Sequence, residues 1–200
     1  MEKNNKIQLK LYLIIIFIST FITSFIVSYK LNYKFIYVLS IMILGVILVI
    51  LIDGLTAALF RSLPIKCANF KKRIFIVSKK EKFFYEKIKI KNWKDKIPEI
   101  GHFTGFRKNK VLDPKNPEYI KRFLHEICYG EMGHFASMFT GIFLLLIPWF
   151  KSFWIYLCII IIIINAFLNL LPIFVLRYNS FTLYSIYTLL LKKNKTSQIN

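Results

Sequence analysis

The sequence predicts an all-α, polytopic membrane protein with about four transmembrane helices and a basic cytosolic segment between the second and the third. Three observations predict it. Hydrophobic residues make up 56% of the 200 residues and the mean hydropathy is +0.52, well above the soluble average. Lys and Arg together number 29 against 10 Asp and Glu, a net charge of +19. The two properties are segregated, with apolar runs at both ends and a long basic stretch between them. A soluble basic protein would not carry so much apolar residue, and a plain bundle of spans would not carry so much charge. A secreted disulfide scaffold, a disordered tail protein and an ordinary cytosolic enzyme are excluded. Cys67, Cys128 and Cys158 form no CxxC pair and read as reduced structural thiols.

The first apolar run is Leu11 to Val27, preceded by Lys3, Lys6 and Lys10. Its basic start resembles a signal peptide, but the chain continues as Ser28-Tyr29-Lys30 with no small-residue cleavage site, so a retained anchor helix is expected. The second run, Phe35 to Phe60, is longer than the ~20 residues that cross a hydrocarbon core, and Asp53 lies near its far end. The third, Phe135 to Phe150, grows out of an amphipathic stretch that begins near Pro117. The fourth, Phe153 to Leu176, follows after only Pro148 to Ser152, which predicts a helical hairpin. An amphipathic helix over roughly Phe181 to Leu191 closes the chain.

Three parts follow from this: a two-span hairpin over 1–60, a basic segment over 61–117, and a catalytic helix, second hairpin and C-terminal helix over 118–200. The stretch Arg61 to Arg122 holds 19 Lys and Arg and 6 Asp and Glu. Four spans put this stretch, the basic N-terminal tail and Lys192, Lys193 and Lys195 on one side, which the positive-inside rule makes the cytosol. The expected location is the cell membrane, multi-pass, with both termini cytosolic. Within the basic segment Phe83, Phe84, Tyr85, Ile88, Ile90 and Trp93 interleave with Lys82, Lys87, Lys89 and Lys91. Nucleic acid is one partner for such a pattern. Beside membrane spans, anionic headgroups are the better one, at about 1 kcal/mol per nearby Lys or Arg. No nucleic acid is expected.

The most unusual stretch is Leu124 to His134, which sets two carboxylates and two histidines at the mouth of a span. At 3.6 residues per turn Glu126, Glu131 and His134 share a face with Gly130 and Gly133, while His125 points away. Two readings compete. Arg122 and Glu126 are i,i+4 neighbours and could form an ordinary interfacial ion pair. A cluster of ionisable groups at a membrane boundary is costly, however, and is more often functional. Metal chemistry is a weaker reading. Glu131-x-x-His134 has di-iron spacing but lacks a second such helix, and Tyr129 breaks the HExxH motif that His125-Glu126 would begin. Asn165 and Asn169 lie one helical turn apart and should turn into the bundle. A hairpin would place His134, Asn169 and Arg177 within about two turns of one another in depth, using 1.5 Å per residue.

The chain has no GxSxG elbow and no P-loop. It also lacks the HxxxxD acyltransferase motif, since Arg107, Gly130 and Phe139 occupy the fifth place after the three histidines. A histidine among carboxylates can still act as general base toward a hydroxyl. Basic groups nearby can hold phosphates or a headgroup. Spacing supports an interfacial transferase or hydrolase and goes no further.

Four motifs carry more. They are Trp93-Lys94-Asp95-Lys96-Ile97-Pro98-Glu99, Glu126-x4-Glu131-x2-His134-Phe135, Asn169-x2-Pro172 with Arg177-Tyr178-Asn179, and Arg61-Ser62-Leu63-Pro64. Together they resemble the glycosyl-4,4'-diaponeurosporenoate acyltransferase family over about Arg61 to Lys193. The resemblance implies transfer of a fatty acyl chain to a sugar hydroxyl of a glycosylated carotenoid. Three positions depart from the family pattern. Phe135 stands for tryptophan, Leu176 for glutamine and Ser180 for the arginine after Asn179. The last lies where a headgroup would bind.

The expected reaction is acyl transfer to a hydroxyl of a glycolipid or glycosylated carotenoid at the inner membrane surface. His134 is the expected base, oriented by Glu131 or Glu126. Arg177 and Lys94 would hold an anionic group, Trp93 and Tyr178 would lie at headgroup level, and Asp95, His102, Asn169 and Asn179 complete the substrate-binding set. No metal or organic cofactor is expected, and acyl-coenzyme A or an acyl-carrier protein would be the donor. The alternatives are a non-enzymatic polybasic membrane adaptor and a metal-dependent membrane enzyme using Glu126, Glu131 and His134.

Overall fold

A computed structural model describes residues 2–97, 111–147 and 153–197. Every regular element among them is helical. The α-helices are α1 (Glu2–Leu31), α2 (Phe35–Ser62), α3 (Lys79–Lys87), α4 (Ile90–Trp93), α5 (Pro117–Ser137) and α6 (Trp154–Ser197), with short 3₁₀ stretches at Arg73–Phe75, Lys94–Lys96 and Thr140–Leu146. Three helices are long and apolar enough to cross a membrane, over Leu9–Leu31, Phe35–Ser62 and Trp154–Asn194. The expected third crossing, Phe135 to Phe150, is carried by the last residues of α5 and the 3₁₀ stretch, and residues 148–150 lie outside the described residues. The expected last span and C-terminal amphipathic helix run together as the 44-residue α6, with Pro172 inside it.

The chain divides into two compact units. The first comprises Met1–Leu59 and Gly133–Leu171. Here α1 ends at Asn32, whose φ of 54° is left-handed, and the Tyr33 N–H returns 3.1 Å to the Ser28 carbonyl. This is the six-to-one bond of a Schellman motif, with Asn in the place usually held by Gly. The tight turn starts α2 at Phe35. The core of this unit is Val27, Val38, Met42, Val49, Leu144, Phe153, Trp154, Leu157, Cys158 and Ile161. The Trp154 indole N–H is satisfied by the Leu144 carbonyl at 3.0 Å, and Phe153 meets the Tyr33 ring at 4.7 Å. The outer faces of α1 and α2 are also apolar, with Ile14, Phe17, Phe21, Leu51 and Leu55 exposed. Apolar residues all round a helix suit hydrocarbon.

The second unit comprises Phe60–Met132 and Pro172–Asn200. Ser78 caps α3 by accepting the Glu81 N–H at 3.1 Å. Asn116 caps α5 by accepting the N–H groups of Glu118 and Tyr119 at 3.0 and 3.2 Å, and Pro117 fills the first helical position, where no N–H is needed. The core gathers Phe70, Phe75, Ile120, Phe123, Leu124, Ile127, Cys128, Leu183 and Tyr187. Of the basic-aromatic segment, Tyr85 and Ile90 are buried here, while Phe83 and Phe84 are exposed.

Two α2 glycines test the packing of the first unit. A Cβ at Gly45 would lie 2.9 Å from both Ile161 Cδ1 and the Trp154 ring, whereas one at Gly54 would meet nothing within 4 Å. Gly45→Val should lower the thermal midpoint of the purified protein by several degrees. Gly54→Ala should hold or raise it, by the ~1 kcal/mol helix preference of Ala. Equal effects at the two sites would contradict this packing.

Candidate functional site

The polar residues singled out in the sequence fall into two groups, one in each unit. In the first unit α6 presents Asn165 and Asn169 on one face, both buried. The Asn169 Nδ2 group faces three acceptors: Asp53 Oδ2 at 3.0 Å, and the Asn165 carbonyl and Oδ1 at 3.1 Å each. Those contacts determine the orientation of the amide, because only nitrogen can donate to them. The Asn169 Oδ1 therefore faces His134 Nδ1, at 2.9 Å. An acceptor at Nδ1 requires that this nitrogen carry the proton, which leaves Nε2 as the basic nitrogen of the neutral ring. The other Asp53 oxygen accepts from the Thr140 hydroxyl. Asn165 Nδ2 ties the same region together through the Ser137 carbonyl at 2.7 Å and Thr140 Oγ1 at 3.1 Å.

Asp53 is not among the site residues that the sequence predicts. Its signal was a lone carboxylate within a long apolar run, which in a membrane marks a functional group by default. The reading expected Glu131 or Glu126 to orient His134. In the structure the acceptor that orients Nδ1 is Asn169, with Asp53 behind it.

In the second unit one arginine joins two carboxylates. Arg177 Nε donates to Glu81 Oε1, and its Nη2 donates to Glu81 Oε2 at 2.9 Å. Its Nη1 donates to Glu131 Oε2 at 2.9 Å and to the Ile74 carbonyl at 3.0 Å. The guanidinium that the sequence assigned to a ligand anion is thus engaged with protein groups. Burial alone would raise the Glu81 carboxyl, but hydrogen bonds from Arg177 and Tyr85 outweigh it and hold Glu81 below its ordinary value. Glu131 has only one oxygen on Arg177. Burial pushes its carboxyl up to about 7, against the opposing pull of Arg177. Glu126 pairs with Arg61, a partner 65 residues away. His125 turns elsewhere, with Nδ1 2.8 Å from the Ala68 carbonyl and its ring edge-on to Phe70 at 4.9 Å.

The Trp-Lys-Asp and Arg-Tyr-Asn motifs also meet in this unit. Lys94 Nζ lies 3.5 Å from Asn179 Oδ1 and 5.8 Å from the centre of the Tyr178 ring. The Trp93 indole donates to the Ile88 carbonyl at 3.0 Å. Asp95 falls in the 3₁₀ turn that follows Trp93. His102 lies outside the described residues. Among the described residues no three His, Cys, Asp or Glu side chains are grouped to hold a metal ion.

Residues 66–188 match the family described as glycosyl-4,4'-diaponeurosporenoate acyltransferase. The chain belongs to this family. No curated protein and no solved structure matches it. The protein is therefore an acyltransferase of a carotenoid-biosynthesis family, with a lipid or glycolipid substrate. The matched region contains Trp93, Lys94, Glu131, His134, Asn169 and Arg177. Asp53 lies before it.

The raised Glu131 has a measurable consequence for this acyltransferase. Between its ordinary 4.5 and about 7 the folded protein keeps a proton that the unfolded chain has released. Its stabilising contribution is complete below the ordinary value and declines as pH rises toward 7. The thermal midpoint should fall from about pH 5 to pH 7.5, and Glu131→Gln, neutral throughout, should flatten that fall. An identical slope in both proteins would refute the assignment.

Proposed function

We propose that the protein transfers a fatty acyl group from acyl-coenzyme A or an acyl-carrier protein to a sugar hydroxyl of a glycolipid or glycosylated carotenoid at the inner membrane surface. The observation that carries this reading is the chain Asp53–Asn169–His134. It holds one imidazole tautomer in a fixed direction, as a general base requires. His134 Nε2 takes the acceptor hydroxyl proton as the oxygen attacks the thioester carbonyl. A tetrahedral intermediate forms, the carbon–sulfur bond breaks, and the imidazolium returns its proton to the leaving thiolate. Asp53 stabilises the cationic ring through the Asn169 amide and is a positioning residue. Within the second unit Lys94, Tyr178 and Asn179 would offer polar groups to a headgroup. Arg177 keeps the Glu81 and Glu131 cluster together.

His134→Ala should reduce turnover by 10²-fold or more, within the ~10²–10⁴ range of general-base catalysis. Asp53→Ala should lower kcat by about tenfold or more with little change in KM, because it loosens the base and leaves binding intact. Lipid mass spectrometry of cells matched for protein level, supplying both glycosylated carotenoid and native glycolipids, reads this directly. A new acylated glycolipid in wild type and its absence in His134→Ala are expected. Full turnover by His134→Ala would overturn the base assignment.

The membrane placement belongs to the same reading. The helices α1 and α2 cross as a pair, which leaves the N-terminal tail and the basic segment together in the cytosol. Residues 135–147, as the end of α5 and the 3₁₀ stretch, and the apolar part of α6 make the third and fourth crossings and return the C-terminus there. Single cysteines at Asn5 and Asn194 should react with an impermeant maleimide only after permeabilisation. Labelling of the second from outside intact cells would leave three crossings.

A further inference from the structure

The segment between α2 and α3, residues 63–78, carries Lys66, Lys71, Lys72 and Arg73 and no Asp or Glu. Phe70 and Phe75 fix it to the core of the second unit, whereas Ile65, Ile74 and Ile76 stay exposed. The chain enters this segment directly from Phe35–Ser62, a helix long and apolar enough to cross a membrane. Exposed aliphatic side chains among cations, next in the chain to the end of a span, suit the level where hydrocarbon gives way to anionic headgroups.

The same segment forms one side of an open cleft of about 250 Å³ within the second unit. Ile65, Lys66, Phe70 and Lys71 come from it, Lys121 from α5 and Tyr187 from α6, and Asn69 and His125 complete the lining. The walls are apolar, and the volume exceeds the ~150 Å³ of an engineered apolar cavity that binds benzene. Lys66 and Lys71 are exposed, as side chains are that lay their methylene stems along an apolar wall and keep the ammonium in water. No carboxylate lines the cleft. Lys66 and Lys71 make no ion pair among the described residues, and Lys121 meets Glu118 at 3.1 Å, a side chain 74% exposed. The other polar groups leave that sign unchanged. Asn69 Oδ1 is occupied by the Lys71 N–H at 3.0 Å, and His125 Nδ1 by the Ala68 carbonyl at 2.8 Å.

Apolar walls beside three lysines select an anion joined to an apolar body. A neutral hydrocarbon would make no use of the charge, and a cation would be repelled by it. A small hydrated anion would gain nothing from the walls. Position selects the source, because the exposed isoleucines of the same segment belong in lipid rather than in water. We propose that this cleft binds one anionic phospholipid, with its phosphate at Lys66, Lys71 and Lys121 and the upper part of an acyl chain against Ile65 and Phe70. The site goes beyond the acyl-transfer reading, and its test needs no turnover.

The full chain is placed in phosphatidylcholine nanodiscs containing a trace of photoactivatable phosphatidylglycerol, or of photoactivatable phosphatidylcholine with the diazirine at the same acyl carbon near the headgroup. Labelled peptides are then mapped by mass spectrometry. Phosphatidylglycerol should label residues 65–71, residues 121–125 and Tyr187 at least tenfold more than phosphatidylcholine does. Lys66→Gln, Lys71→Gln and Lys121→Gln combined should reduce that labelling at least tenfold. The same loss of three charges at Lys79, Lys80 and Lys87, exposed residues of α3, should leave it within about twofold, because a built site depends on position and a diffuse field does not. Circular dichroism and elution volume show which variants are folded, and the comparison of the two lipids on the wild type decides the question if a variant is not. Equal labelling by the two lipids, equal loss in the two triple variants, or displacement of phosphatidylglycerol by coenzyme A, a soluble phosphate ester, would each overturn the lipid site. Loss of acyl transfer with labelling intact would count against the transfer reading alone.

Discussion

An ionisable side chain among apolar ones must be given partners, and the structure of both units is organised by that constraint. Asp53 sits in α2, a helix apolar on nearly every face, and its carboxylate is met by Thr140 and Asn169. Those partners bring the 3₁₀ stretch after α5 and the first part of α6 to the same point of the first unit. Arg177 does the equivalent in the second unit. One guanidinium holds α3 through Glu81, α5 through Glu131 and the turn before α3 through the Ile74 carbonyl. Burial raises Glu131, which has one oxygen on Arg177, while Glu81, held by two guanidinium nitrogens, stays low.

The same constraint explains why the two described histidines are held so differently. His125 is tied to a backbone carbonyl and packed edge-on to Phe70, a structural arrangement. His134 is held by a side-chain amide that is itself held by a carboxylate. An amide cannot exchange one proton for another along this line as a water could, so it transmits orientation and charge stabilisation. Such support is what the proposed general base would need.

The family match covers the Trp-Lys-Asp, Glu-Glu-His and Arg-Tyr-Asn segments, but Arg61 to Pro64 and Asp53 lie before it. The Trp-Lys-Asp and Arg-Tyr-Asn segments meet through Lys94, Asn179 and Tyr178. The Arg-x-x-Pro segment supplies Arg61 to Glu126. Asp53 comes from the helix before the matched region, so the support of His134 draws on residues that the family match does not include.

Much of this was legible in the amino acids themselves. Unbroken apolar length determined α1, α2 and the apolar part of α6, because no other environment suits so many consecutive aliphatic side chains. The one-turn spacing of Asn165 and Asn169 determined that they share a face, and the clustered polar residues of α5 marked the region of chemistry. Spacing reports only neighbours along a helix, however. It offered Arg122 as one partner for Glu126 and expected a carboxylate for His134, whereas the structure pairs Glu126 with Arg61, His134 with Asn169, and Asp53 with Thr140 across 87 residues. It also read residues 135–150 as one helix. A 3₁₀ stretch occurs there, with Gly141 so close to Ile162 that a Cβ would lie 3.2 Å from its Cα. Those choices belong to the tertiary structure, since a buried polar group takes whichever partner the packing brings within about 3 Å, and packing depends on residues far apart in the chain.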